Sequence, residues 1–217
     1  GLTLDMEGYT QAMNEQKTKA MASWKGSGEK EVASFYKEFL QSSPATLFEG
    51  YGNTQGEGQV LAILKDSKPV DSANAGEEVE IISDKTPFYG ESGGQVGDSG
   101  LASNENVQLE ISNANKPLPG LIVHKTKIIH GSIHKGDSLT LVVNPKTRGA
   151  TALNHSSTHL LQAALKEVLG EHIKQAGSLV AADRLRFDYT HFSPLTDKER
   201  ARIETLVNEK IRENIPV

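Results

Sequence analysis

Between Thr46 and Asn144 every apolar run is cut short by Gly, Asn, Asp or Pro. An amphipathic helix needs apolar residues every third or fourth position over ten or more residues, and these runs are too short to supply them. They suit strands. The candidates are 59–65, 78–83, 107–111, 121–129 and 138–143. Short strands at this spacing predict an antiparallel barrel or sandwich.

The chain reads differently on either side. Over 4–23, Met6, Tyr9, Met13 and Lys17 recur at helical spacing, and the Trp24–Gly28 segment ends the run. Residues 29–41 predict a second helix with Val32, Phe35, Tyr36, Phe39 and Leu40 on one side, and Pro44 lies just beyond it. After Lys146, a helix is predicted over 147–169, with Gly170 as its stop. Strands follow at 178–180 and 184–189. Thr196 and Glu199 have capping-box spacing and open a last helix, whose stripe is Ile203, Leu206, Val207 and Ile211. The expected fold class is α+β, in three parts: a helical connector over 1–44, a β-barrel over 45–146, and an α+β unit over 147–217. That last unit is expected to be incomplete, because its final helix runs into the chain end.

Composition narrows the chemistry. The chain has 217 residues and no cysteine, so disulfides and thiolate metal sites from within it are excluded. No run approaches the roughly 20 apolar residues that span a bilayer, and no signal peptide is recognisable. The expected location is the cytoplasm. Net charge is −5, but unevenly spread. Between Ile111 and Ala150, six cations (Lys116, Lys125, Lys127, Lys135, Lys146, Arg148) face only Asp137. That stretch carries +5, so the remainder carries −10. A basic segment can meet phosphates even in an acidic protein. A solvated sheet face with chance asymmetry explains it equally well.

Two segments carry candidate chemistry. The first is Asn154-His155-Ser156-Ser157-Thr158-His159. Histidines at i and i+4 on a helix share a face about 6 Å apart, close enough to hold one metal ion. With about 100° per residue and His155 at zero, His159 lies near 40°, while Leu160, Leu161, Ala164, Leu165, Val168 and Leu169 spread over about 140–320°. The pair therefore points away from the apolar stripe, among the small residues Ala152, Ser156 and Ala163. Two idle surface histidines remain an alternative. Metalloprotease chemistry is excluded, because position 156 is Ser and not the general-base Glu. Zinc takes at least three protein ligands. His172 and His191 are the nearest further candidates, without a diagnostic spacing.

The second is Thr86-Pro87-Phe88-Tyr89-Gly90-Glu91-Ser92-Gly93-Gly94-Gln95-Val96-Gly97-Asp98-Ser99-Gly100. Five glycines allow close backbone approach and positive φ, and Thr86, Glu91, Ser92 and Gln95 add hydrogen-bonding groups. It is neither a P-loop nor a dinucleotide fingerprint. From composition, a tight hairpin with a bulge is the favoured reading, and a ligand-binding loop is the alternative.

Together the two segments resemble bacterial alanyl-tRNA synthetases, through Thr-Pro-Phe-Tyr-x-Glu-Ser-Gly-Gly-Gln-x-Gly-Asp and then Leu-Asn-His-Ser-x-Thr-His-Leu. Gln175–Val180, Leu185–Tyr189 and the first 20 residues continue the likeness, so it covers essentially the whole chain. The resemblance implies a parent that attaches alanine to tRNA(Ala) for protein biosynthesis, using ATP and magnesium in a catalytic domain outside this sequence. This region would belong to the editing domain of the threonyl/alanyl type, which hydrolyses mischarged Ser-tRNA(Ala) and Gly-tRNA(Ala). The resemblance further implies zinc, held by His155 and His159 with a later Cys-x-x-x-His that has no counterpart in this sequence. It assigns catalysis to Gln175, substrate contact to Thr86, Ser92, Gly93, Gly94 and Gln95, and sensing of the seryl hydroxyl to Thr86. A serine-selective pocket gains by bonding the hydroxyl that alanine lacks. The expected partner is the acceptor end of tRNA(Ala), met by Lys125 and Lys127, with no DNA and no membrane. A free-standing hydrolase of the AlaX type and an inactive RNA-binding fragment are the alternatives.

Overall fold

The computed structural model describes Gly8 and residues 27–214. Of the helix expected over 4–23, only Gly8 is described, in helical conformation; the rest lies outside the described residues. Helix α1 (Ser27–Ser42) comes next. Ten strands follow: β1 (Leu47–Phe48), β2 (Gln55–Lys65), β3 (Lys68–Val70), β4 (Ser72–Asn74), β5 (Glu78–Ser83), β6 (Lys85–Thr86), β7 (Gly100–Ser103), β8 (Val107–Leu118), β9 (Leu121–His134) and β10 (Ser138–Val143). The chain continues as α2 (Pro145–Leu169), β11 (Gln175–Val180), β12 (Leu185–Tyr189) and α3 (Asp197–Glu213).

The barrel closes because β10 has two antiparallel neighbours. Val142 pairs with Leu101 of β7 on one side and with Gln55 of β2 on the other. The circuit β10-β7-β8-β9-β5-β2 therefore has no free edge within it. Alternation does the rest. Val107, Leu109 and Ile111 on β8, with Leu139, Leu141 and Val143 on β10, all point inward and are at most 3% exposed. Burying each such aliphatic side chain contributes about 1.5–3 kcal/mol.

Part of the outer surface is covered as well. Ala62, Leu64, Ile82, Leu121 and Val123 form a second apolar cluster with Tyr36 of α1, and Phe35, Phe39 and Leu40 pack against it. This is the face expected of that helix, except Val32, which lies outside the described side chains. Strands β2, β5 and β9 thus bury both faces, which accounts for consecutive apolar residues such as Ile63-Leu64 and Ile81-Ile82.

A third cluster joins Ala164 and Leu165 of α2 to Ile173, Ile203 and Leu206, with Phe187 and Tyr189 of β12 against it. The predicted stop of α2 at Gly170 and the predicted capping box of Thr196 and Glu199 are present. At the start of α2 the Asn144 side chain accepts from Lys146 N and Thr147 N, a cap the sequence reading did not name. The predicted stripe of α3 fades along its length, with Ile211 49% exposed.

Candidate functional site

The glycine-rich segment departs from the expected hairpin. Its flanking strands do not pair with each other. Strand β6 pairs with β1, and β7 lies between β10 and β8. Hairpin geometry survives only at the tip, where Ser92 and Gln95 exchange backbone hydrogen bonds of 3.1 and 3.0 Å. Gly93 (φ 61°) and Gly94 (φ 87°) occupy that turn, and two positive φ values call for glycine. The remainder crosses between two structural units. Glu91 N donates to Ala114 O of β8 at 2.8 Å. Val180 N of β11 donates to Gly94 O at 2.7 Å, and Val96 N donates to Val180 O at 3.0 Å. A Cβ at Gly94 would lie 2.4 Å from Ser178 Oγ, and one at Gly97 only 1.9 Å from Ala114 O. Glycine is needed at both because the loop lies directly on its neighbours.

This path delivers Gln95 to the histidine pair. Gln95 Oε1 accepts from His155 Nδ1 at 2.6 Å. The His155 and His159 rings are 5.1 Å apart, and both residues are exposed, as their helical phase predicts. An amide oxygen can only accept, so the Nδ1 proton is fixed and the lone pair of His155 is left at Nε2. Asn154 ties the helix to the tip of the β11–β12 hairpin, with Nδ2 donating to Ala181 O at 2.7 Å. Gln175 reaches the same region from the other end of β11, and its Nε2 donates to Ser178 Oγ at 3.0 Å. A bulge between Gln175 and Gly177 shifts the register there. Ser178, against Gly94 and under Gln175, is a member of this group that sequence reasoning missed. Its one signal is its place opposite a glycine that tolerates no Cβ.

Thr86 is not brought to this group. It is fully buried on β6, outside the barrel circuit, against His124 of β9. Its Oγ1 lies 2.9 Å from His124 Nε2 and accepts from Phe88 N at 3.1 Å. His124 Nδ1 lies 3.1 Å from Ile81 O. A carbonyl only accepts, so Nδ1 carries the proton and Thr86 donates its own to Nε2. Burial pulls the His124 pKa down to about 4, against a smaller opposing effect of the Ile81 bond.

Lys125 and Lys127 are exposed on β9, but they are not a bare basic patch. Glu80 and Glu78 stand opposite them on β5, and Glu110 stands opposite Lys127 on β8. Directly opposed residues share a sheet face, so the carboxylates offset much of the lysine field. Arg148, the last cation of the basic stretch, is mostly buried against Asp98.

The donor set falls short of a zinc site. His155 and His159 supply two ligands, and Gln95 orients the first of them. Among the described residues, no group of three or more His, Cys, Asp or Glu is arranged to hold a metal ion. His172 and His191 bond each other at 2.9 Å at the opposite end of the β11–β12 hairpin and do not join the pair. Two histidines alone do not complete the coordination shell that zinc requires.

A family model described as tRNA synthetases class II (A) matches residues 1–147. The chain belongs to that family. It is 45% identical over 214 residues to an alanine–tRNA ligase of Anaeromyxobacter dehalogenans, covering 99% of this chain and 23% of that protein. Similar figures hold for the alanine–tRNA ligases of Sphingopyxis alaskensis, 45% identical over 100% of this chain and 25% of that protein, and Rhizorhabdus wittichii, 46% over 98% and 24%. The chain thus spans about a quarter of the length of these relatives. The match to this synthetase family extends through both ends of the glycine-rich segment and into the first turn of α2. Among the described residues, no helix is long and apolar enough to cross a membrane.

Proposed function

We propose that this region serves an alanine–tRNA ligase as its editing unit, hydrolysing Ser-tRNA(Ala) and Gly-tRNA(Ala) in the cytoplasm. The observation that carries the reading is the meeting of Gln95 with His155. Two motifs 60 residues apart converge, on a surface open to a large substrate, in a chain about 45% identical to alanine–tRNA ligases along its whole length.

In this reading water adds to the carbonyl of the aminoacyl ester. The bond to the terminal ribose oxygen then breaks, releasing the amino acid and the tRNA 3′ end. Gln95 holds the His155 proton at Nδ1 and leaves Nε2 to accept a proton or a metal ion. Gly93 and Gly94 let substrate approach the turn closely, and the Gln175–Ser178 pair supplies polar groups beside it. Thr86 acts through the loop it anchors. Zinc, where bound, would supply Lewis-acid chemistry, with His155 and His159 as two of its ligands. The alanylation step, with ATP and magnesium, belongs in this proposal to the remaining three-quarters of the ligase.

The test is hydrolysis of Ser-tRNA(Ala), measured with zinc content, for this chain and for a version extended through the later Cys-x-x-x-His. Hydrolysis and zinc in the extended version alone is the expected result. Hydrolysis by the short chain shows that its catalytic set is complete within these residues. Hydrolysis by neither removes the editing assignment.

A further inference from the structure

Arg148 stands at an unfavourable place for a cation. It lies at the N-terminal end of α2, where the helix dipole is positive, and no acidic residue occupies that first turn. Its guanidinium is nevertheless mostly buried, and four of its five N–H groups are used. Nε donates to both oxygens of Asp98 at 2.9 Å, and one terminal nitrogen also bonds Asp98 Oδ2. The other donates to Gly50 O at 2.8 Å, and Pro87 O is bonded at 2.8 Å. Asp98 in turn accepts from Tyr89 N at 2.6 Å. Pro87 and Tyr89 begin the glycine-rich loop and Asp98 ends it, so one side chain gathers both ends.

The spacing gives this clamp a consequence at the histidines. Arg148 and His155 are seven residues apart, two helical turns, so they share a face about 10.5 Å apart along the axis. His159 continues the same face. On the loop, Gln95 and Asp98 are three residues apart, a reach of at most about 10 Å. Helix face and loop therefore match at two points, Arg148 with Asp98 and His155 with Gln95.

We propose that Arg148 and Asp98 are the positioning pair that sets Gln95 against His155. Neither touches the reacting atoms. They fix the register between loop and helix, and the β11 contacts of Gly94 and Val96 hold the loop from its other side. The catalytic meaning of this register rests on the hydrolase reading, but the register itself does not. Lysine cannot replace Arg148, because a single ammonium cannot span a carboxylate and two carbonyls in one plane.

The experiment measures nuclear Overhauser contacts between the Gln95 side chain and the His155 ring in this chain, with the barrel amide spectrum as a control for folding. In R148A and in R148K the Gln95–His155 cross-peak is expected to vanish while the barrel amides stay in place. Should R148A fail to fold, D98N is judged by the same criterion, since it removes the charge and keeps the shape. A cross-peak that persists in a folded R148A, or in D98N where that variant decides, overturns the proposal. Hydrolysis plays no part in this readout. A failure of the editing assignment shows only in the deacylation assay, as absence of hydrolysis in both this chain and its extended version.

Discussion

His124 is 1% exposed on β9, bonded to Thr86 and to the Ile81 carbonyl. Desolvation holds its folded-state pKa near 4, below the ordinary 6.5. The unfolded chain therefore binds the extra proton first as pH falls, and folding stability must drop between about pH 6.5 and 4. The contribution is complete above that window and exhausted below it, amounting to about 3 kcal/mol for a shift of this size. Urea unfolding of wild type and His124→Gln across that window should show a steep loss in the former and a shallower one in the latter; parallel curves would exclude His124 as the source. Gln95 invites a different substitution. Made in the extended version, Gln95→Ala removes the acceptor that holds the His155 ring, and should lower kcat for Ser-tRNA(Ala) by about 100-fold, the usual cost of a small misplacement, with little change in KM. An unaltered kcat would take Gln95 out of the catalytic arrangement. Single residues are also the least legible feature of the sequence. Thr86 and Gln95 lie nine positions apart in one motif, yet one is buried against His124 and the other meets the helix. Nothing local distinguishes a threonine aimed inward from one aimed at a ligand.

Elements are far more legible than the roles of their residues, and the errors at their ends have a common cause. The apolar pattern predicts an end to β9 at 129, but the strand continues to His134. Gly131, at φ 75°, breaks no pairing and still lies opposite Val107. The same pattern stops β8 at 111, whereas the strand runs on to Leu118 through a mostly polar stretch, with two more register shifts. Bulges let a strand pass residues that read as punctuation. The glycine-rich loop escapes sequence reading for the opposite reason, since its pairing partners are distant in sequence. Its attachment to β8 supplies an element-scale prediction. Gly97→Ala forces a methyl group into the Ala114 carbonyl, and the loop must lift. Overpacking of this kind costs about 1–3 kcal/mol. Thermal unfolding should register that loss, with the Gln95–His155 contact weakened as well; a variant of unchanged Tm would mean the loop lies less tightly on β8. Beside its aromatic face, α1 also meets the barrel through Tyr36 OH, which donates to Glu80 Oε2 at 2.7 Å. Tyr36→Phe should cost about 1 kcal/mol, read by denaturant titration, and a neutral result would mean that this hydrogen bond adds nothing to the docking.

At the scale of the whole molecule, linear charge density and surface charge part company. The sequence places +5 between Ile111 and Ala150, yet folding removes Arg148 into a buried pair and sets Glu78, Glu80 and Glu110 beside Lys125 and Lys127. Those glutamates come from other strands, so only the closed barrel reveals them. The proposed tRNA contact through the two lysines must therefore work against nearby carboxylates, and the balance can be measured from both sides. Replacing Lys125 and Lys127 with Gln should weaken tRNA binding and lower the salt slope by about one unit for each phosphate no longer neutralised. Replacing Glu78 and Glu110 with Gln should do the reverse, tightening binding at low salt and losing that advantage as the Debye length shrinks. Opposite shifts place the acceptor stem along this face of β9. Unchanged affinity in the lysine variant, whatever the glutamate variant does, would move the tRNA path off this face of the barrel.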